Sequence, residues 1–424
     1  MELIQSDIRT FLTPSWMTSV PLNLGDASHG KLKADQWHAL GTTYLPISLT
    51  HLWGFANADS PRSRRCREIL NLTISLLSAV TIASSRSMSH ALANSYLQHM
   101  QAYLAGLKLL FPEYQFRPNH HLALHLHEYL LRFGPVHAWW TFPFERMIGM
   151  LQCMPTSGKI GILKLYFFNA NLIMRFVGEL EETMAKSFVR SANLRALVFK
   201  SQCPEVIQNC HSIFRKFTNP QLRDTLQTDM QVLSSLTEGG HDDDDDDDDS
   251  IMDWDDRTAR PIPNDLQIAL TRFHSRFIRK AQFLPIVTIN GLVYTPTSKH
   301  EGNSCVLFQP KSQGDLNLVP AWIQTIFRIP LSESVQTLIA IRRHQPSQIP
   351  HDPFSQFPIL RARLWGAQLG DLEIIQLDQV SSHFACLPIN GDFKGHVATI
   401  SLSRVSLQCV NHNLSFPYTI PCRI

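Results

Sequence analysis

A run of eight consecutive aspartates, residues 242–249, constrains this chain more than any other feature. Like charges at that density repel one another and cannot bury apolar surface, so a compact fold has to leave the run outside its core. It therefore divides the chain. With Asp253, Asp255 and Asp256 it defines an acidic, disordered linker over residues 236–262, where 12 Asp+Glu face 2 Lys+Arg. Residues 1–235 carry 22 Lys+Arg against 15 Asp+Glu, and residues 263–424 carry 14 against 9. The formal net charge of +2 thus hides two mildly basic bodies on an acidic tether. A basic excess of this size is compatible with DNA contact. A hydrophobic content of 44% supplies cores on both sides and excludes general disorder.

The two sides differ in pattern. Residues 63–111 carry long apolar-periodic stretches ended by Pro112, and residues 186–199 and 206–217 continue in the same style, so residues 1–235 read as mainly helical. After the linker, apolar residues alternate around Asn290-Gly291, a hairpin signal. Short apolar runs follow at 305–308, 322–329, 335–341, 372–377 and 397–402, punctuated by Pro and Gly. Many short strands with frequent turns point to a small β-barrel or sandwich over residues 263–424. The expected fold class is a multidomain α+β protein: a helical N-terminal domain, the linker and a barrel-like C-terminal domain.

The densest chemistry lies in residues 118–146, with five histidines and the Trp139-Trp140 pair. Asn119 as N-cap and Gly134 as the terminating residue predict a helix over 120–132. On it His121, His125, Glu128 and Arg132 form a polar stripe, and Leu122, Leu126, Tyr129 and Phe133 an apolar one. Pro143 reads as the first residue of a second helix whose first turn holds Glu145, where the macrodipole favours a carboxylate. Helix-start acids are common for that reason alone. Two histidines one turn apart are a candidate metal pair. His121, His125 and Glu128 together would be a three-ligand hydrolytic site, although the HExxH order is missing. Trp139 and Trp140 read as core.

The order of HHLALH (120–125), GPVHAWW (134–140) and FPFER (142–146) resembles the C-terminal part of CACTA-type (En/Spm-like) DNA transposases, in particular those of fungal transposons. Residues 13–16 (TPSW) and 29–49 (HGKLKADQWHALGTTYLPISL) are also similar to that family, so the resemblance covers roughly residues 1–235. It implies a DDE-type RNase H-like core with a helical insertion before the last catalytic acid, and a nuclear protein that binds DNA. Glu145 matches that acid, and His121 and His125 match the histidine half of a zinc site. Two-metal strand transfer would need Mg or Mn on hard oxygen ligands. The family's two aspartates fall upstream of the matching segment. Asp7, Asp26, Asp35, Asp59 and Glu2 are the only acids before residue 60, and none ends a convincing strand. No cysteine pair has the CxxC spacing of the family's zinc site. The resemblance thus implies a catalytically incomplete transposase-derived protein. The barrel is similar to the same transposons' C-terminal region and loosely resembles bromo-adjacent-homology modules, with Asp352-Pro353-Phe354 the best local match. A domesticated DNA- or chromatin-binding module is the alternative.

Three further expectations follow. Arg62, Arg64, Arg65 and Arg67 form the densest basic cluster, suited to phosphates or to a weak nuclear signal, or else simply a solvated loop-to-helix transition. The eight cysteines, with no secretion signal, read as reduced thiols, and no uncharged apolar run of eighteen residues points to a membrane span. Residues 161–177 interrupt the family-like sequence and read as an insertion encoded by a retained intron, or else as one more buried helix or strand.

Overall fold

A computed structural model describes residues 1–26, 30–54, 60–141, 144, 145, 148, 189, 190, 193, 257–274, 277–311, 318–331, 334–390 and 393–403. The described residues up to Trp139 and those from 257 to 403 belong to one compact unit, and those between Trp140 and 193 to a second. The aspartate run and residues 161–177 lie outside the described residues.

The N-terminal part is helical, as expected. Its helices are α1 (Glu2–Thr10), α2 (Ala34–Ala39), α3 (Leu45–Trp53), α4 (Pro61–Ala83), α5 (His90–Leu110) and α6 (Pro118–Phe133). A π-helical turn, Leu40–Tyr44, joins α2 to α3. Pro46 explains it: proline has no N–H to return to the preceding turn, and a widened turn absorbs the missing bond. Side-chain caps start the two long helices. The Ser60 hydroxyl accepts from the Ser63 N–H at 3.0 Å, and the Ser89 hydroxyl from the Leu92 N–H at 3.2 Å. By length and hydropathy α4 could cross a membrane, but Leu70, Ile74 and Leu77 are buried in the protein core.

The C-terminal part is a barrel. Its strands are β1 (Arg260–Pro261), β2 (Lys280–Leu284), β3 (Val287–Ile289), β4 (Leu292–Tyr294), β5 (Cys305–Phe308), β6 (Val319–Leu331), β7 (Ser334–Pro346), β8 (Ala362–Gln376), β9 (Val380–Ile389) and β10 (His396–Ser401). Six close on themselves in the order β6-β5-β9-β10-β8-β7-β6, and every pairing is antiparallel. Closure removes the exposed edges that an open sheet would leave. β2 extends the sheet from the far half of β6, and β1 pairs with β2, so this end of the expected linker is strand. The β3–β4 hairpin turns on Asn290 and Gly291 at φ 50° and 72°, the left-handed pair a type I′ turn requires. Helix α7 (Asn264–Phe273) lays Leu266, Ala269 and Leu270 on Phe327, Leu338 and Ile374.

The two ends of the chain share a core. Ile8, Ile47 and Ile74 belong to one buried cluster with Phe354, Leu387 and Ile400. Leu12 adds a bridge to β9: its N–H donates to the Cys386 carbonyl at 2.9 Å and its carbonyl accepts at 3.0 Å. Three residues on, Ser15 N–H donates to Asn303 Oδ1 at 2.7 Å, and next to it Trp16 Nε1–H donates to His383 Nδ1 at 3.3 Å. His383, fully buried, stacks on Tyr294 with centroids 3.9 Å apart.

Candidate functional site

Helix α6 carries the histidines. It starts two residues before the expected position, with Arg117 as N-cap and Pro118 in the first turn, so Asn119 lies inside the helix. The local reason is Pro118, whose ring presets φ, together with His120. The His120 Nδ1 accepts the Arg117 N–H at 3.0 Å and supplies the return bond of a capping box. Gly134 ends the helix at φ 73°, as expected.

The expected apolar stripe is a correction. Leu122 is 60% exposed and Phe133 59%, and Tyr129 is exposed as well. The face that packs holds Ala123, Leu124, Leu126 and Leu130, against Ile82, Tyr96 and Met100 of α4 and α5. Polar anchors set this orientation: Tyr96 Oη donates to the Ala123 carbonyl at 2.8 Å, and His127 Nε2 lies 2.9 Å from Asn94 Oδ1. Trp139 packs on the same cluster, with its indole N–H on the Gly134 carbonyl at 3.2 Å, in keeping with a core role.

His121 and His125 do meet. Their Nε2 atoms are 3.2 Å apart, with ring centroids at 4.8 Å and 80° between the planes. Two ligands about 2.0–2.1 Å from one tetrahedral zinc would be spaced at roughly 3.3 Å, so the pair has the spacing of two zinc ligands. Glu128 Oε1 lies 3.7 Å from Nδ1 of His125, on the side of the ring away from His121. It therefore lies behind the imidazole, beyond hydrogen-bond reach, and does not converge with the other two as a third ligand. Among the described residues no group of three His, Cys, Asp or Glu could hold a metal.

Glu145 sits exposed in helix, its N–H on the Thr141 carbonyl at 2.9 Å, and its Oε1 accepts from the Thr141 hydroxyl at 3.1 Å. It belongs to the second compact unit. Pro143 lies outside the described residues. The early acids are engaged elsewhere or solvated. Asp7 is buried against His51, with 3.6 Å between Oδ2 and Nδ1, and joins α1 to α3. Asp35 sits in the first turn of α2 and Asp26 is exposed, while Asp59 lies outside the described residues.

The four arginines divide. Arg65 donates to the Leu110 carbonyl and lies 5.1 Å over the Phe111 ring, and Arg67 donates to the Gly54 carbonyl at 3.3 Å. Those two hold the helices together. Arg62 and Arg64 are exposed and available to phosphate. In the barrel, Asp352 is structural: its carboxylate accepts the N–H groups of Phe354 at 2.9 Å and Leu364 at 3.0 Å. Sequence reasoning missed the exposed rings of Tyr114 and Phe116 beside α6; the signal was three aromatics, Phe111, Tyr114 and Phe116, within six residues that also hold Pro112.

No protein-family model, curated protein or solved structure matches this chain.

Proposed function

We propose that this chain is a transposon-derived DNA-binding protein similar to the C-terminal half of CACTA-type transposases, acting in the nucleus, with an incomplete catalytic set. What carries the reading is the ordered series HHLALH, GPVHAWW and FPFER, with Glu145 on a helix and two histidines at zinc-ligand spacing. The resemblance matches Glu145 to the family's last metal-binding acid. One carboxylate cannot hold the two Mg or Mn ions of strand transfer. Asp7, the most buried of the early acids, is occupied by His51. DNA contact then falls to the basic surface, with Arg62 and Arg64 as its exposed members.

The test uses a DNA duplex ending in the terminal inverted repeats of a CACTA-type transposon, with Mg or Mn present, and compares the chain with Glu145→Gln. Both proteins are expected to retain the DNA and neither to cut it. Divalent-dependent cleavage lost in Glu145→Gln would overturn the incompleteness, and failure of the chain to bind any DNA would overturn the reading as a whole. Zinc content supplies an independent check on the histidine pair: binding that is lost in His125→Ala supports it.

A further inference from the structure

We infer that Tyr114 and Phe116, beside the arginine-bearing start of α4, form a stacking site for single-stranded DNA; this rests on the DNA-binding reading above. Tyr114 is 43% exposed and Phe116 45%, on the segment between α5 and α6. Their rings are perpendicular, with centroids 6.1 Å apart, and each meets His120 edge-on, at 5.7 and 5.5 Å. Tyr103 stacks on His120 at 6.3 Å and 20°. His120 is itself held by its bond from the Arg117 N–H. The exposed rings are thus held in place by a fixed imidazole, and little freedom is lost when a base covers them. Clustered exposed rings on a soluble surface mark a binding site more often than chance apolar exposure.

The charge around them selects the ligand. Arg65 fastens the start of α4 to Leu110 and Phe111, the residues from which the aromatic segment departs. Arg62 lies three residues before Arg65, on the same helix face. Arg62 and Arg64 on α4, Lys108 on α5 and Arg117 at the start of α6 are exposed. Among the described residues of α4's first turns and the segment between α5 and α6, the acids are Glu113, which is exposed, and Glu68, which pairs with Arg65 at 3.8 Å. Cations for a backbone next to ring faces for bases are the two parts of a single-strand site. A duplex satisfies only the first part, because its base faces are already stacked on one another.

The experiment measures binding of a fluorescent oligothymidylate and of a duplex of equal length by anisotropy, over a range of salt concentrations. The full chain is compared with Tyr114→Ala/Phe116→Ala, Tyr114→Phe, and Arg62→Gln/Arg64→Gln. Removing each ring is expected to weaken single-strand binding on the order of tenfold, with the salt slope and duplex binding unchanged. Tyr114→Phe keeps the ring face and should bind like the parent. The arginine pair should flatten the single-strand slope of log K against log salt by about 1.4. If the parent binds DNA and the double alanine variant binds the single strand equally well, the stacking site is wrong and the DNA reading stands. Equal losses for single strand and duplex also overturn it. If the parent binds neither DNA, both fall.

Discussion

Ile47 is the side chain to truncate, because it separates a shared core from two independent ones. It lies in the first turn of α3, is fully buried, and belongs to a cluster with Leu387 of β9 and Ile400 of β10. Ile47→Ala removes three carbon atoms from that cluster and leaves a cavity. Truncations of this kind cost about 2–5 kcal/mol, and a site enclosed on both sides by helix and sheet has little room to collapse, so about 3 kcal/mol is expected. With a urea dependence of roughly 3 kcal/mol per M for a unit of this size, the unfolding midpoint drops by about 1 M. Two probes should be followed. Far-UV ellipticity reports mainly the helices, and alkylation of Cys305 and Cys386, both buried in the barrel, reports strand opening by mass spectrometry. One cooperative unit requires both midpoints to fall together. A helical transition that moves while cysteine protection stays at the parental midpoint would refute the shared core.

Other perturbations test single elements. Gly302→Ala would place a Cβ 1.9 Å from the Thr13 carbonyl oxygen, so it should detach residues 12–16 from the barrel and speed amide exchange at Leu12 and Cys386. Arg65→Ala should lower the melting temperature through loss of its bond to Leu110 and its cover of Phe111, whereas exposed Arg64→Ala should leave it unchanged. Burial lowers the His99 pKa to about 4. The folded state therefore resists the proton that the unfolded chain takes up near its ordinary value of about 6.5. Stability should be unaffected by this group above about pH 6.5 and fall between there and pH 4; His99→Leu should flatten that limb in denaturant titrations at stepped pH.

Much of the barrel was legible in the sequence, because its signals are local. Asn290-Gly291 tolerates the two left-handed conformations of a tight hairpin, and a hairpin forms there. The run at 305–308 is strand β5, and those at 322–329 and 335–341 fall inside β6 and β7. On α6, Gly134 marked its end correctly. Which face would be buried was not readable, since α6 offers apolar residues around most of its circumference and period alone cannot choose among them. The choice fell to partners distant in sequence: Tyr96 and Asn94 hold Ala123 and His127 inward, which leaves Leu122 and Phe133 in solvent.

The candidate site divides in the same way. The i, i+4 spacing of His121 and His125 by itself placed two imidazoles on one helix face, and the structure brings their nitrogens to 3.2 Å. Glu128 has the same helical spacing, yet its position behind His125 depends on rotamers that spacing does not specify. The four arginines are clustered within six residues and look equivalent there; only their neighbours in space tie Arg65 and Arg67 to carbonyls and leave Arg62 and Arg64 free of that duty. By itself, then, the sequence determined what local backbone chemistry and helical periodicity can specify: turns, strand runs, helix ends and the histidine pair. Tertiary structure alone decided that residues 1–53 and the barrel share one core, and which polar groups are buried, because both depend on contacts between residues hundreds of positions apart.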